Sequence, residues 1–129
     1  MRFAGYAAVF DTPDRGGDVV RRGAFGPVAP VPLLWQHRGA PVGRIDTIGE
    51  DARGLRVTGR IDDARLAGLV RGGAVDGLSF GYRVRACREG ARRELTAIEL
   101  VEVSLVAQPM QRLARVHAVV EDFPDGAAP

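Results

Sequence analysis

Three side chains that lie far apart in the chain have the types that acyl-transfer chemistry needs: His37, Ser79 and Glu102. A serine becomes a nucleophile when a neutral imidazole takes its proton and a third group holds that imidazole's tautomer. Ser79 lies in "DGLSFGY", Asp76 to Tyr82, where Gly77, Ser79 and Gly81 form a Gly-x-Ser-x-Gly pattern. In an α/β-hydrolase that pattern occupies a sharp turn from strand to helix, and the acid and then the histidine follow the serine. This chain is too short for such a sheet, "FGYRVRA" after the serine alternates like a strand, and the stronger histidine candidate precedes it. Taken alone, the pentapeptide reads as small residues punctuating an ordinary strand.

The other two side chains change that balance. His37 follows the apolar run "VPLLWQ", whereas His117 lies in "ARVHAVV" near the end of the chain. Glu102 interrupts "IELVEVSLV"; in a regular strand it shares a face with Leu100 and Ser104, while Val101, Val103 and Leu105 face the other way. A carboxylate buried there is costly without a cationic or hydrogen-bonding partner, and a triad histidine is such a partner. The alternative for Glu102 is an exposed place on the wet face of a half-buried strand.

The elements that must position these groups are mainly β. Glycine is plentiful, at 17 residues, and the apolar stretches are short and separated by turn residues. "RFAGYAAVF" reads as a first strand closed by the loop "DTPDRGG", and "DVVRRGAF" as a short second strand. Val31 to His37 is continuous enough for a buried strand that delivers His37 where "RGAPVG" begins the turn out. Val42 to Ile48 and Leu55 to Ile61 read as the arms of a hairpin, with Leu55, Val57, Gly59 and Ile61 on one face. Only "DDARLAGLVRGG" looks helical, with Asp62 or Asp63 as cap, Leu66, Leu69 and Val70 at helical spacing, and Gly72 as stop. Strand-like runs follow in "VDGLSFGYRVRA", "RRELTAIELVEVSLVA" and "ARVHAVV". The expected fold is a mainly β barrel or closed sheet, α+β in class, with one or two short helices. One domain over residues 1–120 and a mobile tail over 121–129 are the expected organisation.

Bulk composition excludes several classes. All 18 basic residues are arginine, and 16 acidic residues leave a net charge of only +2, too little for a dedicated nucleic-acid binder. No apolar run approaches the ~18 residues that span a bilayer, and the opening "MRFAGYAAVF" lacks the pattern of a signal peptide, so a soluble intracellular protein is expected. Cys87 is the single cysteine, which leaves no internal disulfide and no thiolate metal cluster; a small hydrophobe packed in a strand is its expected role. No cofactor and no metal are expected.

Four segments in order, "GYAAVFDTPDRGGDVVRRGAF", "VPLLWQHRGAPVGRI", "GLSFGYRV" and "ELTAIELVEVSLVAQPM", resemble the prohead (procapsid maturation) serine proteases of tailed bacteriophages, prophages and gene transfer agents, over about residues 5–115. The resemblance implies a fold like that of the herpesvirus assemblins, a small β-barrel flanked by helices, with the histidine before the nucleophile. It implies His37 and Ser79 as catalytic residues and Glu102 as the third member, with Ser104 and Glu99 as the other choices for that role; Arg112 would sit near the oxyanion. In that account Gly77 and Gly81 leave room for substrate backbone to approach Ser79. The implied activity is that of a serine endopeptidase that cuts scaffolding protein or a scaffold-like segment of the major capsid protein, and itself. It would act inside the procapsid in the bacterial host cytoplasm, with self-association as a further expectation and no nucleic-acid or membrane partner. The contrasting class is a catalytically silent β-barrel that serves capsid assembly structurally.

Overall fold

The strand β7 (Glu94–Val106) is the axis of the molecule, and its Leu95, Ile98, Leu100, Val103 and Leu105 are aliphatic residues suited to a pleated, half-buried surface. It is long enough to hold partners on both edges. Along one edge runs β6 (Gly77–Arg88), antiparallel. Along the other, β2 (Val19–Val20) pairs in parallel at Glu94 and Leu95, and β3 (Pro32–Trp35) at Val103 to Leu105. The computed structural model describes residues 1–121.

From β3 the sheet continues through antiparallel neighbours, β4 (Arg38–Glu50), β5 (Gly54–Ile61), β1 (Arg2–Val9) and β8 (Val116–Val120). The chain just before β8 then returns to β6. Leu78 N–H donates to the Ala114 carbonyl at 3.0 Å, Val116 N–H donates to the Asp76 carbonyl at 2.8 Å, and Gly77 bridges Arg115. These bonds close the sheet into a barrel, so β1 and β6 present no open edge to one another. Inside it, Leu33, Leu55, Val57, Leu78, Val103 and Leu105 have 0% exposure. Each contributes roughly 1.5–3 kcal/mol by leaving water. The mainly β closed sheet expected from the sequence is what the chain forms.

The described residues contain one helix, α1 (Ala64–Arg71). Asp63 caps it by accepting from Leu66 N–H at 2.9 Å, and Gly72 ends it. Leu66, Ala67 and Val70 form its buried face, whereas Leu69 is exposed. No described helix is long and apolar enough to cross a membrane.

Three local expectations need correction. The run from Val31 to His37 is not one strand: β3 stops at Trp35, Gln36 and His37 form a turn, and "RGAPVG" is the start of β4 rather than a turn. Leu100 does not share a face with Glu102. The register passes from Gly81 opposite Glu102 to Tyr82 opposite Leu100, which leaves Val101 as an exposed bulge and turns Leu100 back onto the core. Cys87 is exposed instead of packed, because the β6–β7 hairpin projects beyond the barrel there. Of the tail placed at 121–129, only Glu121, which pairs with Arg71, is within the described residues.

Candidate active site

His37 owes its position to a turn that its sequence does not favour. Trp35 pairs with Arg38 across a connection made only of Gln36 and His37, and both have positive φ, 53° and 63°. Two successive left-handed residues match a type I′ hairpin turn, which ordinarily selects Asn-Gly. A side chain in that region costs of order 1–3 kcal/mol, so the surroundings must hold the turn in place. They do so through β7 and the segment after it. Gln36 N–H donates to the Leu105 carbonyl at 3.0 Å, Ala107 N–H donates to Gln36 Oε1 at 2.8 Å, and His37 N–H donates to Ser104 Oγ at 3.1 Å.

Glu102 lies beside this turn on β7, only 7% exposed. The bulge at Val101 resets the alternation so that Glu102 and Ser104 share the outer face while Val103 and Leu105 fill the barrel. Glu102 Oε1 meets His37 Nδ1, and Glu102 Oε2 accepts from Ser104 Oγ at 2.6 Å. Both carboxylate oxygens therefore have partners, which is the condition for burying the charge. Gly81 is opposite Glu102, and a Cβ there would be 2.3 Å from Glu102 Oε1. At Gly77 a Cβ would be 2.7 Å from the Val106 carbonyl. The two glycines around Ser79 thus make room for the protein's own carboxylate and backbone, a local use that differs from the expected clearance for substrate.

Ser79 is directly opposite Ser104 in the β6–β7 ladder and is 5% exposed. Paired residues share a face, so Ser79, Ser104, Gly81 and Glu102 form one outer patch that His37 covers from the β3 side. Ser79 and Glu102 are diagonal neighbours on that face, a spacing that long side chains can bridge. No hydrogen bond joins Ser79 Oγ to the His37 ring among the described residues. The structure thus brings His37 and Glu102 into contact and places Ser79 on the same patch, one strand away.

The remaining candidates are elsewhere or otherwise engaged. Glu99 pairs with Arg85 at 2.6 Å and Arg83 at 3.4 Å on the projecting hairpin, and these arginines, Arg85 foremost, hold its carboxyl below the usual carboxylate range. Arg112 is exposed, its carbonyl accepting from Arg115 Nε at 2.8 Å. His117 is exposed and edge-on to Tyr6. Among the described residues no three His, Cys, Asp or Glu side chains converge on a point where a cation could be held.

Two residues of this region escaped the sequence reading. Gln36 is the polar residue that ties the histidine turn to Ala107. Gln111, 4% exposed, accepts from Val9 N–H at 2.6 Å through Oε1, and its Nε2 has no partner. It lines a cavity of about 40 Å³ beside Ser79 together with Ala7, Leu78, Phe80 and Tyr82. Burial, reinforced by Asp18 and Asp14, raises the Tyr82 phenol above its ordinary pKa, so that wall stays uncharged. The one signal for Gln36 was its place between an apolar run and a histidine; for Gln111 there was none.

The fold has counterparts in known proteins. KSHV protease in complex with a hexapeptide phosphonate inhibitor superposes with a TM-score of 0.61, covering 89% of this chain and 63% of that one at 15% identity. A second KSHV protease structure gives 0.57 over 89% of this chain and 58% of that one, at 16% identity. At such identities the likeness is one of fold, and it agrees with the assemblin-like barrel expected. The prohead protease of Enterobacteria phage HK97 is 34% identical over 94 residues, spanning 64% of this chain and 42% of that protein. The chain therefore accounts for less than half the length of that relative. A family model described as caudovirus prohead serine protease matches residues 1–127. With nearly its whole length matched, the chain belongs to the caudovirus prohead serine protease family.

Proposed function

We propose that the chain is a serine endopeptidase of procapsid maturation, with residues 1–120 as the protease domain. Ser79 is the nucleophile, His37 the general base and acid, and Glu102 the group that orients the imidazole. The observation that carries this reading is the contact between His37 Nδ1 and Glu102 on the patch that holds Ser79. With Nδ1–H on the carboxylate, the Nε2 lone pair is left on the opposite edge of the ring, where a hydroxyl proton can be taken. Ser79 Oγ then attacks the scissile carbonyl, Nε2 receives its proton and passes it to the leaving amine, and Glu102 stabilises the imidazolium between those steps. Catalytic hydrogen bonds are often long before substrate binds and tighten in the Michaelis complex, so the absent Ser79–His37 bond does not oppose this order.

By family membership, the substrates are scaffolding protein or a scaffold-like segment of the major capsid protein, and the enzyme itself. The chain acts inside the procapsid in the bacterial host cytoplasm, whether of a phage, a prophage or a gene transfer agent. Confinement in a shell raises the local concentration of enzyme and substrate and compensates for weak affinity. The contrasting reading is a silent barrel that helps assembly without cutting. Co-expression with the adjacent capsid protein, followed by mass spectrometry of new chain ends, decides between them. Ser79→Ala should lower kcat/KM by at least about a thousandfold with the fold intact, and Glu102→Gln by less, about a hundredfold. Full cleavage by Ser79→Ala would contradict the assignment.

A further inference from the structure

We infer that Ser104 is a positioning residue that clamps His37 by its backbone and, through Glu102, by its ring; this rests on the protease reading above. The Ser104 hydroxyl has 0% exposure and two partners. It donates to Glu102 Oε2 at 2.6 Å and accepts from His37 N–H at 3.1 Å. Glu102 Oε1 completes a closed ring of contacts by meeting His37 Nδ1. A hydroxyl has one proton to give and lone pairs to accept with, and here each has a single use: the proton goes to the carboxylate and a lone pair to the backbone amide.

That ring answers a problem specific to this site. His37 is at the tip of a two-residue turn in a left-handed conformation, and its side chain is 41% exposed. A half-exposed imidazole on such a turn has few packing contacts to select one rotamer. The Ser104 bond to His37 N–H fixes where the ring starts, and its bond to Glu102 fixes the carboxylate that holds the ring at Nδ1. With the Glu102 oxygens so divided, the carboxylate cannot rotate away from Nδ1 without giving up a buried donor. The tautomer with Nδ1–H, and Nε2 free toward Ser79, is thereby selected. A serine that served packing alone would also be buried on this strand, but it would not bridge the backbone and the side-chain partner of one residue.

The test combines kinetics with nuclear magnetic resonance on the intact chain. Ser104→Ala should lower kcat about ten- to a hundredfold with KM within about twofold. Its 15N-labelled His37 should lose the downfield Nδ1–H resonance of the bonded ring, and Ser104→Thr should restore both. Ser104→Cys keeps the volume but is a weak donor, so it should behave like Ser104→Ala; this matters if threonine is too large to fold here. Wild-type kcat and an unchanged Nδ1–H resonance in Ser104→Ala or Ser104→Cys would overturn the clamp. Failure of the protease reading shows separately: no cleavage by wild type, with a resonance that still depends on Ser104, refutes the activity and upholds the clamp.

Discussion

At the scale of single residues, the site depends on small changes of volume around one carboxylate. Glu102 can be buried because Gly81 leaves the space its oxygens fill; a methyl group at position 81 would overlap Oε1. Gly81→Ala should therefore act on Glu102 rather than on substrate. The expected outcome is a loss of kcat close to that of Glu102→Gln, with KM nearly constant and a modest fall in melting temperature, read by steady-state kinetics and calorimetry. Much of this residue-level picture was legible beforehand. His37 was marked by the apolar run before it, and Glu102 by its position as a charge inside an aliphatic strand. Gly81's partner was not legible, because it depends on which residue of β7 lies opposite, and register is a property of two strands. The misassigned face of Leu100 has the same origin, since one bulged residue reverses every later alternation.

At the scale of elements, β1 and the β4–β5 connection are tied by Tyr6, whose hydroxyl donates to Asp51. That bond is the largest cause of a lowered Asp51 pKa, with the backbone N–H groups of Arg53 and Gly54 adding to it and slight burial opposing it. The same bond raises the Tyr6 phenol above its ordinary value. The lowered carboxylate contributes stability that is full above its unfolded pKa, about 3.9, and disappears as pH falls through the lower folded value. The raised phenol contributes below about pH 10 and loses that contribution as pH rises through its folded value. Tyr6→Phe should flatten both limbs, so the stability difference from wild type, measured by urea unfolding, should shrink below about pH 4 and above about pH 10 relative to pH 7. A difference independent of pH would contradict this. Element types were readable from alternation and caps, as the Asp63-capped α1 shows; the left-handed turn at Gln36 and His37 was not, because neither residue is one that such a turn prefers.

At the scale of the whole molecule, the pairing of β3 and β6 with the two edges of β7 is what turns three distant stretches of sequence into one patch. β3 delivers the turn bearing His37, β6 carries Ser79, and β7 lies between them with Glu102 and Ser104. Parallel pairing of β3 with β7 could not be read from either strand alone, because it depends on the whole path of the chain through β4, β5, β1 and the bridge back to β6. The central claim, that the His37–Glu102 pair activates Ser79, is tested most directly by reaction with a fluorophosphonate followed by peptide mapping. The account predicts a single adduct on Ser79 in the wild-type chain, and none in His37→Ala at the same exposure. Equal labelling of Ser79 in both chains, or an adduct at another residue, would contradict it.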